Sequence, residues 1–483
     1  MLKTKEGIKL LNLILMIRII VITLVIVVLF ESCGGYSSLM GGIGGGIFSA
    51  IGKVSNTFGT PLGRDIDSDG DNDSAFVIDN IAGGNMGDVG NSIYVDSNGK
   101  IYVTGYSLNG SNEDMYVIRL NNNGSMDMTF NGSGKVVLNS IAGGNGSDIG
   151  NSIYVDSSGK IYVTGDSYNG SSNYDMYVIR LNSNGSLDSS FGVGGKVVVN
   201  NIAGGNGYDY GNSIYVDSSG KVYVTGRSWN GSNDDMYVIR LNSNGSLDNS
   251  FGSSGKVVLN SIAGGNWDDI GNSIYVDSSG KIYVTGGSPN SGGNLDMYVL
   301  RLDNNGSMDM TFNGSGKVVL NSIAGGNAND DGNSIYVDSS GKVYVTGRSW
   351  NGSNDDMYVI RLNSNGSLDN SFGSSGKVVL NNIAGGNWDD FGNSIYVDSN
   401  GKIYVTGYSW NGSNWDMYVI RLNSNGSMDS SFGIGGKVLV NNIAGGNMED
   451  YGNSIYVDSN GNIYVTGGSY NGSNRDMYVI KIE

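Results

Sequence analysis

The chain has 483 residues, including 80 glycines and 2 prolines, and its formal net charge at pH 7 is -17. Binding to nucleic-acid phosphates depends on clustered Lys and Arg, so this charge argues against nucleic acid and anionic lipid headgroups as partners. The sequence contains no histidine and 1 cysteine. This composition excludes a Ser-His-Asp triad, His-ligated metal sites and an intramolecular disulfide, and we expect no enzymatic activity.

The N-terminal segment has the layout of an export signal. Residues 19–30 form an apolar run in which Thr23 is the one polar residue, and basic residues precede it: Lys3, Lys5, Lys9 and Arg18. A basic stretch followed by a short apolar stretch is typical of a secretory signal. We therefore predict a signal peptide over residues 1–32.

The residue after this segment, Cys33, is the predicted site of lipidation. It stands between Ser32 and Gly34, as in the bacterial lipoprotein signals that this segment resembles, although the two residues before Ser32 depart from the usual pattern. The alternative is that residues 10–30 stay in the membrane as a helix, which would bury Arg18 at a cost of about 2.5–3.5 kcal/mol. Both alternatives place the rest of the chain outside the cytoplasm. We expect a lipid-anchored protein of the bacterial cell envelope, at the outer membrane or the cell surface.

Residues 33–64 are rich in Gly and Ser and contain the sequence GGIGGG at residues 41–46. This composition is typical of a flexible tether. A phosphate-binding glycine loop is disfavoured because no strand precedes the glycines and no Lys-Ser or Lys-Thr pair follows them. We predict a tether that lifts a domain off the membrane.

Residues 65–74 form an acidic loop in which carboxylates alternate along the chain: Asp65, Asp67, Asp69, Asp71 and Asp73. Alternating carboxylates with a glycine at the turn, here Gly70, are the pattern of a calcium loop. An EF-hand loop would have Glu at its twelfth position, where this chain has Phe76, so any calcium site is of a shorter type. A solvated acidic turn without metal is the alternative, and calcium is the one cofactor that the sequence suggests.

A repeat of 60 or 61 residues fills the rest of the chain. The phrase Gly-Asn-Ser-Ile-Tyr-Val-Asp occurs seven times, with its asparagine at Asn91, Asn151, Asn212, Asn272, Asn333, Asn393 and Asn453. In the first copy, apolar runs separated by Gly-containing turns predict four strands, over residues 92–95, 101–104, 115–120 and 136–138. Seven such units predict an all-β fold, a seven-bladed β-propeller of four-stranded antiparallel blades over residues 75–483.

The ends of the repeat region predict how the ring closes. The last copy stops at Glu483 after its third strand, whereas the first copy is preceded by an additional apolar run at residues 76–78. We therefore expect this N-terminal strand to complete the last blade, since a closed ring leaves no free strand edge.

Two segments of the repeat resemble known families. RLNSNGSLDNSFG at residues 240–252, followed by GKV at 255–257, resembles the bacterial delta-60 repeat, and IYVDSSGKVYVTG at 214–226 resembles the β-propeller repeat called SBBP. The resemblance covers nearly all of residues 75–483. It implies a propeller in an exported protein and implies no single shared activity.

Two aspartates recur in each repeat, as Asp88 and Asp114 do in the first and Asp209 and Asp235 in the third. A pair of carboxylates could serve glycoside hydrolysis, but an active site needs one asymmetric pair with separated pKa values. A residue required in every blade more often holds a turn by accepting backbone N–H groups. We favour the turn role.

The repeats differ mainly in two short stretches, one after Ile-Ala-Gly-Gly-Asn and one after Val-Thr-Gly, and we expect both at the same face of the ring. The predicted ligand-binding residues on this face are Tyr168, Tyr208, Trp229, Trp267, Trp350, Trp388, Trp410, Trp415 and Tyr470. Exposed aromatic rings beside polar residues suit a carbohydrate or protein ligand. The chain is thus expected to be a surface binding or adhesion module. The alternatives are a structural envelope component without a specific ligand, or rings that only pack against neighbouring loops.

Overall fold

The computed structural model describes residues 52–483, and this part of the chain consists of strands and turns without helices. The predicted signal peptide, Cys33 and the first part of the predicted tether lie outside the described residues. No helix suited to crossing a membrane occurs within residues 52–483. Two strands, β1 (Thr60–Pro61) and β2 (Ser74–Ile78), precede the repeats.

Each repeat forms one antiparallel sheet, and six of the seven blades use four consecutive strands. Blade 1 contains β3 (Asp88–Val95), β4 (Ile101–Leu108), β5 (Glu113–Leu120) and β6 (Lys135–Leu138). Blade 2 contains β7 (Asp148–Val155), β8 (Ile161–Tyr168), β9 (Tyr174–Leu181) and β10 (Lys196–Val199). Blade 3 contains β11 (Asp209–Val216), β12 (Val222–Trp229), β13 (Asp234–Leu241) and β14 (Lys256–Leu259). Blade 4 contains β15 (Ile270–Val276), β16 (Ile282–Pro289), β17 (Leu295–Leu302) and β18 (Lys317–Leu320). Blade 5 contains β19 (Asp330–Val337), β20 (Val343–Trp350), β21 (Asp355–Leu362) and β22 (Lys377–Leu380). Blade 6 contains β23 (Asp390–Val397), β24 (Ile403–Trp410), β25 (Trp415–Leu422) and β26 (Lys437–Val440).

Blade 7 is built from both ends of the repeat region, as the sequence predicts. Its three C-terminal strands are β27 (Asp450–Val457), β28 (Ile463–Tyr470) and β29 (Arg475–Ile482), and the sheet runs in the order β1-β2-β29-β28-β27. Strand β2 pairs antiparallel with β29, with Phe76 opposite Val479 and Ile78 opposite Met477. The edge that β29 would otherwise expose is therefore covered.

The innermost strands hold the ring together. In each, the register shifts after the glycine of the Gly-Asn-Ser motif, as between Gly90 and Ser92, so the asparagine is left outside the ladder. The freed side chain donates from Nδ2 to a glycine carbonyl oxygen of the next blade at 3.0–3.1 Å. The residue that supplies this carbonyl oxygen must be glycine, because a Cβ on Gly150 would lie 2.3 Å from Thr104 Oγ1 of the preceding blade.

The core lies between blades. Tyr102 and Val117 of blade 1 pack with Ile153 and Tyr177 of blade 2 in one buried cluster, and equivalent clusters lie at the other interfaces. The phenylalanine that precedes each outermost strand is fully buried in six copies: Phe130, Phe191, Phe251, Phe312, Phe372 and Phe432. These rings pack between blades, as expected, because sheets stacked face to face bury both sides of each inner strand.

Residues 52–64 correct the predicted domain boundary. They belong to the folded unit, not to a free tether: Val54 bridges Ile482, and the side chains of Val54 and Phe58 are buried. Burial of these two apolar groups favours the docked segment over a solvated chain. The folded domain therefore includes residues 52–64, which the sequence analysis assigned to the tether.

The strands are also longer than predicted. The first strand of blade 1 begins at Asp88, not at residue 92, and the second ends at Leu108, not at residue 104. The added residues pair across the bulge, with Asp88 opposite Ser107. Periodicity does not identify these positions as strand because they contain the variable residues and the glycines of the bulge.

Candidate binding face

The loops that carry the variable residues are held by the recurring aspartates. In blade 1, the carboxylate of Asp88 accepts hydrogen bonds from the backbone N–H groups of Asn80 at 2.7 Å and Ile81 at 3.2 Å, while Ser107 Oγ accepts one from Ala82 N–H at 2.8 Å. The same three bonds occur in all seven blades. The Asp88 series therefore has the predicted turn role, and the Asp114 carboxylate is likewise bonded, by Asn109 Nδ2 at 2.9 Å.

Both variable stretches lie at the same end of each blade, because the start of the first strand pairs with the end of the second. Rings from the two stretches touch: Trp388 before β23 lies 5.2 Å from Trp410 at the end of β24, measured between ring centroids. We call this end of the ring the variable face.

Several of the predicted binding residues form the floor of this face instead of its surface. A Cβ on Gly207 would lie 2.6 Å from the Trp229 ring, and one on Gly326 would lie 2.6 Å from the Trp350 ring. These rings thus rest on the glycine backbone of the loop before the first strand and are only partly exposed. Tyr168 and Trp410 occupy the same position in their blades. The observed contacts of these four rings match the alternative in which the rings only pack against neighbouring loops.

Three other predicted residues are exposed. The accessible fractions are 53% for Trp267, 55% for Trp388 and 43% for Tyr208, which are high for large aromatic side chains. Trp415 is partly buried among aromatic neighbours, and Tyr470 lines a cavity with Glu449 and Arg475.

An aromatic patch spans blades 6 and 7. It consists of Trp388, Phe391, Tyr408, Trp410, Trp415 and Tyr451. Trp415 lies 5.3 Å from both Trp410 and Tyr408, and Tyr408 lies 4.7 Å from both Phe391 and Tyr451, measured between ring centroids. These spacings and the mostly edge-to-face orientations are those of favourable aromatic pairs.

Charged groups border the aromatic patch. The guanidinium of Arg348 lies 5.5 Å from the Phe391 ring centroid, and that of Arg475 lies 4.9 Å from the Tyr451 centroid. Arg475 also donates to Glu449 at 2.7 Å, and this hydrogen bond lowers the pKa of the Glu449 carboxyl. An open cavity of about 410 Å³ adjoins the patch, lined in part by Tyr408, Tyr451 and Arg475.

A smaller group of tyrosines lies on blades 2 and 3. Tyr174 is 5.7 Å from Tyr168 and 6.0 Å from Tyr208, and the Arg227 guanidinium lies 4.6 Å from the Tyr210 ring centroid. The variable face therefore differs between blades in the side chains that it presents, although its backbone repeats.

Sequence reasoning missed the tyrosine of the Gly-Asn-Ser-Ile-Tyr-Val-Asp motif. These seven rings form a closed circle with neighbouring centroids 5.2–5.6 Å apart. The members are Tyr94, Tyr154, Tyr215, Tyr275, Tyr336, Tyr396 and Tyr456. The sequence does show that one tyrosine recurs in each innermost strand. That these tyrosines contact one another becomes apparent only in the three-dimensional arrangement of the blades.

The acidic loop brings together three of its five predicted ligands. One carboxylate oxygen from each of Asp65, Asp67 and Asp73 lies within 4.8 Å of the other two. Burial raises the pKa of Asp67 to about 7 and that of Asp73 to about 6. Asp71 and Asp69 lie outside this group of three and face the Lys53 ammonium, at 3.1 and 3.8 Å.

Comparisons with known proteins agree on the fold. The family described as a domain of unknown function (DUF5122) β-propeller matches residues 97–130, 157–191, 218–251, 278–312, 339–372 and 399–432, and the SBBP β-propeller repeat matches residues 199–232, 323–353, 383–413 and 442–472. No curated protein matches the sequence.

Solved structures resemble the chain at low sequence identity. The polysaccharide lyase Uly1 is 14% identical, with 90% of this chain and 97% of that chain covered and a TM-score of 0.44. A Dyadobacter fermentans protein of unknown function is 12% identical, with coverages of 90% and 98% and a TM-score of 0.42. The Trypanosoma rangeli sialidase is 10% identical, with coverages of 89% and 57% and a TM-score of 0.40. The repeat matches and the seven closed blades together show that the chain is a β-propeller whose repeats are similar to the DUF5122 and SBBP repeats.

Proposed function

We propose that this protein is an exported, membrane-anchored binding module that takes a carbohydrate or protein ligand on the aromatic patch of its variable face. The supporting observation is the break in sevenfold symmetry at this patch. The backbone of the blades repeats around the ring, whereas contiguous aromatic rings, with Trp388 exposed at their outer edge, gather on blades 6 and 7. A purely structural component of the envelope would not need aromatic residues that differ from blade to blade.

Blade 4 offers a direct comparison within the chain. Trp267 occupies the position of Trp388 and is equally exposed, but Pro289 and Leu295 stand where blade 6 has Trp410 and Trp415. Trp267 is therefore a single exposed ring, whereas Trp388 is the outer member of a connected patch. Binding hot spots are typically clustered Trp, Tyr and Arg side chains, which favours blade 6 as the binding site.

The composition of the patch suits a ligand with both apolar and polar surface. Trp388 and Trp415 supply ring faces or edges, while Arg348 and Arg475 supply guanidinium donors within the same region. Sugar rings and protein surfaces both combine apolar patches with hydrogen-bonding groups. The adjoining cavity is large enough for a ligand of a few sugar units or a side chain of a partner.

The position of the N-terminal segment is consistent with anchoring at Cys33. Residues 52–54 contact Ile482 and Glu483, at the end of β29 opposite to Arg475 and the variable face. Residues 34–51 would span at most about 60 Å if fully extended. The first described residues thus lie on the side of the ring away from the aromatic patch.

A screen of the detergent-solubilised whole protein against a glycan array, together with pull-downs of envelope and host surface proteins, tests the proposal. We expect the wild type to retain a specific glycan or protein that a Trp388→Ala/Trp415→Ala variant does not. Equal retention by both proteins would place binding elsewhere, and absence of any retained ligand would favour the structural envelope role.

A further inference from the structure

The acidic loop contains a buried carboxylate oxygen without a hydrogen-bond donor. Asp73 is fully buried, and its Oδ2 accepts a hydrogen bond from the Ile66 backbone N–H at 2.7 Å. Its Oδ1 has no partner. A buried acceptor without a donor is costly, so the site calls for a group that this oxygen could bind.

Two further carboxylates converge on Asp73. One carboxylate oxygen from each of Asp65, Asp67 and Asp73 lies within 4.8 Å of the other two. Asp67 is held in place because its Oδ2 accepts a hydrogen bond from the Val54 N–H at 2.6 Å, and Asp65 is held by the N–H groups of Ser68 at 2.6 Å and Gly70 at 2.9 Å. Three ionised carboxylates at this spacing repel one another, and a cation bound between them would remove this repulsion.

The basic side chains of the loop are engaged elsewhere. The Lys53 ammonium contacts Asp71 and Asp69, which lie outside the group of three. Arg64 donates to the backbone carbonyl oxygens of Asn442, at 2.8 Å, and Ile443. Neither cation therefore takes the place of a metal between Asp65, Asp67 and Asp73.

We propose that Asp65, Asp67 and Asp73 bind a calcium ion. The ligands are hard carboxylate oxygens, without nitrogen or sulfur, and calcium accepts six to eight oxygens at about 2.3–2.6 Å in flexible geometry, with backbone carbonyls or water completing the shell. Magnesium demands near-ideal octahedral geometry and keeps most of its water, so it fits a short loop of this kind less well.

The ion would lock the ring closure. The acidic loop connects β1 to β2, and β2 completes blade 7. The loop also contacts the connection between blades 6 and 7, since Asn441 N–H donates to the Ile66 carbonyl oxygen at 3.1 Å. Fixing Asp65, Asp67 and Asp73 around one cation would therefore fix the N-terminal segment against the last blade. This role is independent of ligand binding on the variable face.

Thermal melting of the whole protein with chelator, with calcium and with magnesium tests the site. A ligand that binds only the folded state stabilises it, so at calcium concentrations about 100 times Kd we expect the wild-type Tm to rise by about 3–5 °C above that in chelator. Equal melting in chelator and calcium, or an equal rise with magnesium, would overturn the proposal.

Three variants in the same loop make the test specific. Asp73→Asn removes a ligand charge while its amide oxygen can still accept from Ile66, so this variant should lose the calcium-dependent rise and melt in chelator no lower than the wild type. Asp71→Asn, the matched control, should keep the full rise. Isothermal titration with calcium chloride should give one site for the wild type and for Asp71→Asn, and none for the exposed-residue variant Asp65→Asn. Retention of calcium binding by both the Asp65 and Asp73 variants would refute the assignment.

Discussion

Asn453 Nδ2 donates a hydrogen bond of 3.0 Å to the carbonyl oxygen of Gly90, across 363 positions of the chain. The six equivalent bonds between consecutive blades measure 3.0–3.1 Å, so the seam between blades 7 and 1 matches the other interfaces. Together with the pairing of β2 on β29, this bond completes the ring.

This relationship predicts that Asn453→Ala at the seam and Asn333→Ala inside the ring destabilise the protein equally. Each change leaves a glycine carbonyl without its donor, which typically costs about 1–3 kcal/mol. Parallel denaturant melts of the two variants and the wild type provide the measurement. A seam variant that melted like the wild type, beside a destabilised Asn333 variant, would show that the ring is open at the seam.

Asp166 predicts a pH dependence that is specific to blade 2. Its side chain is 3% exposed, Asn151 Nδ2 donates to its Oδ1 at 3.0 Å, and burial raises its pKa to about 7. Arg227 partly offsets the effect of burial, whereas Glu113 and Asp148 add to it. Because the pKa in the folded state lies above that in the unfolded state, the stability linked to this group is full below about pH 4 and is lost as pH rises through about 7.

Asp166→Asn should therefore stabilise the protein at pH 8, by at most about 4 kcal/mol, with little difference from the wild type at pH 4. Tm profiles of the two proteins from pH 4 to 8 would measure the difference. If the two profiles ran parallel over this range, the carboxyl of Asp166 would not be the group responsible.

Cys33 lies outside the described residues and is tested by processing and partition. Two acyl signals or their equivalent hold a protein to a membrane durably, so we expect the wild type to enter the detergent phase and Cys33→Ala to be misprocessed or released. Phase partition and gel mobility in the bacterial host provide the measurement. Identical behaviour of both proteins would remove the lipoprotein assignment without affecting the fold.

The fold could be predicted from the sequence because the repeat supplies the same evidence seven times. The four strands of a blade, the closing strand at residues 76–78 and the turn role of Asp88 all follow from local pattern. The docking of residues 52–64 was missed because Gly and polar residues dominate the segment, although Val54 and Phe58 were the signal for burial.

The sequence predicted which face of the ring carries the candidate site, but not which residues of that face form it. Trp229 and Trp388 come from the two variable stretches, but one rests on Gly207 and the other projects to 55% exposure. That difference depends on how two loops meet at the top of a blade. The connection between Tyr408 of blade 6 and Tyr451 of blade 7 likewise depends on the packing of neighbouring blades, which no local pattern encodes.

Comparison of Trp388→Ala with Trp267→Ala tests the central claim most directly, using the ligand identified in the screen. The two tryptophans occupy equivalent positions with exposures of 55% and 53%, so both variants should fold and melt like the wild type. A hot-spot tryptophan contributes at least about 2 kcal/mol, so Trp388→Ala should raise Kd by about 30-fold or more, while Trp267→Ala should change it less than about twofold. Equal affinities for the two variants, or a larger loss for Trp267→Ala, would contradict the assignment of the aromatic patch as the binding site.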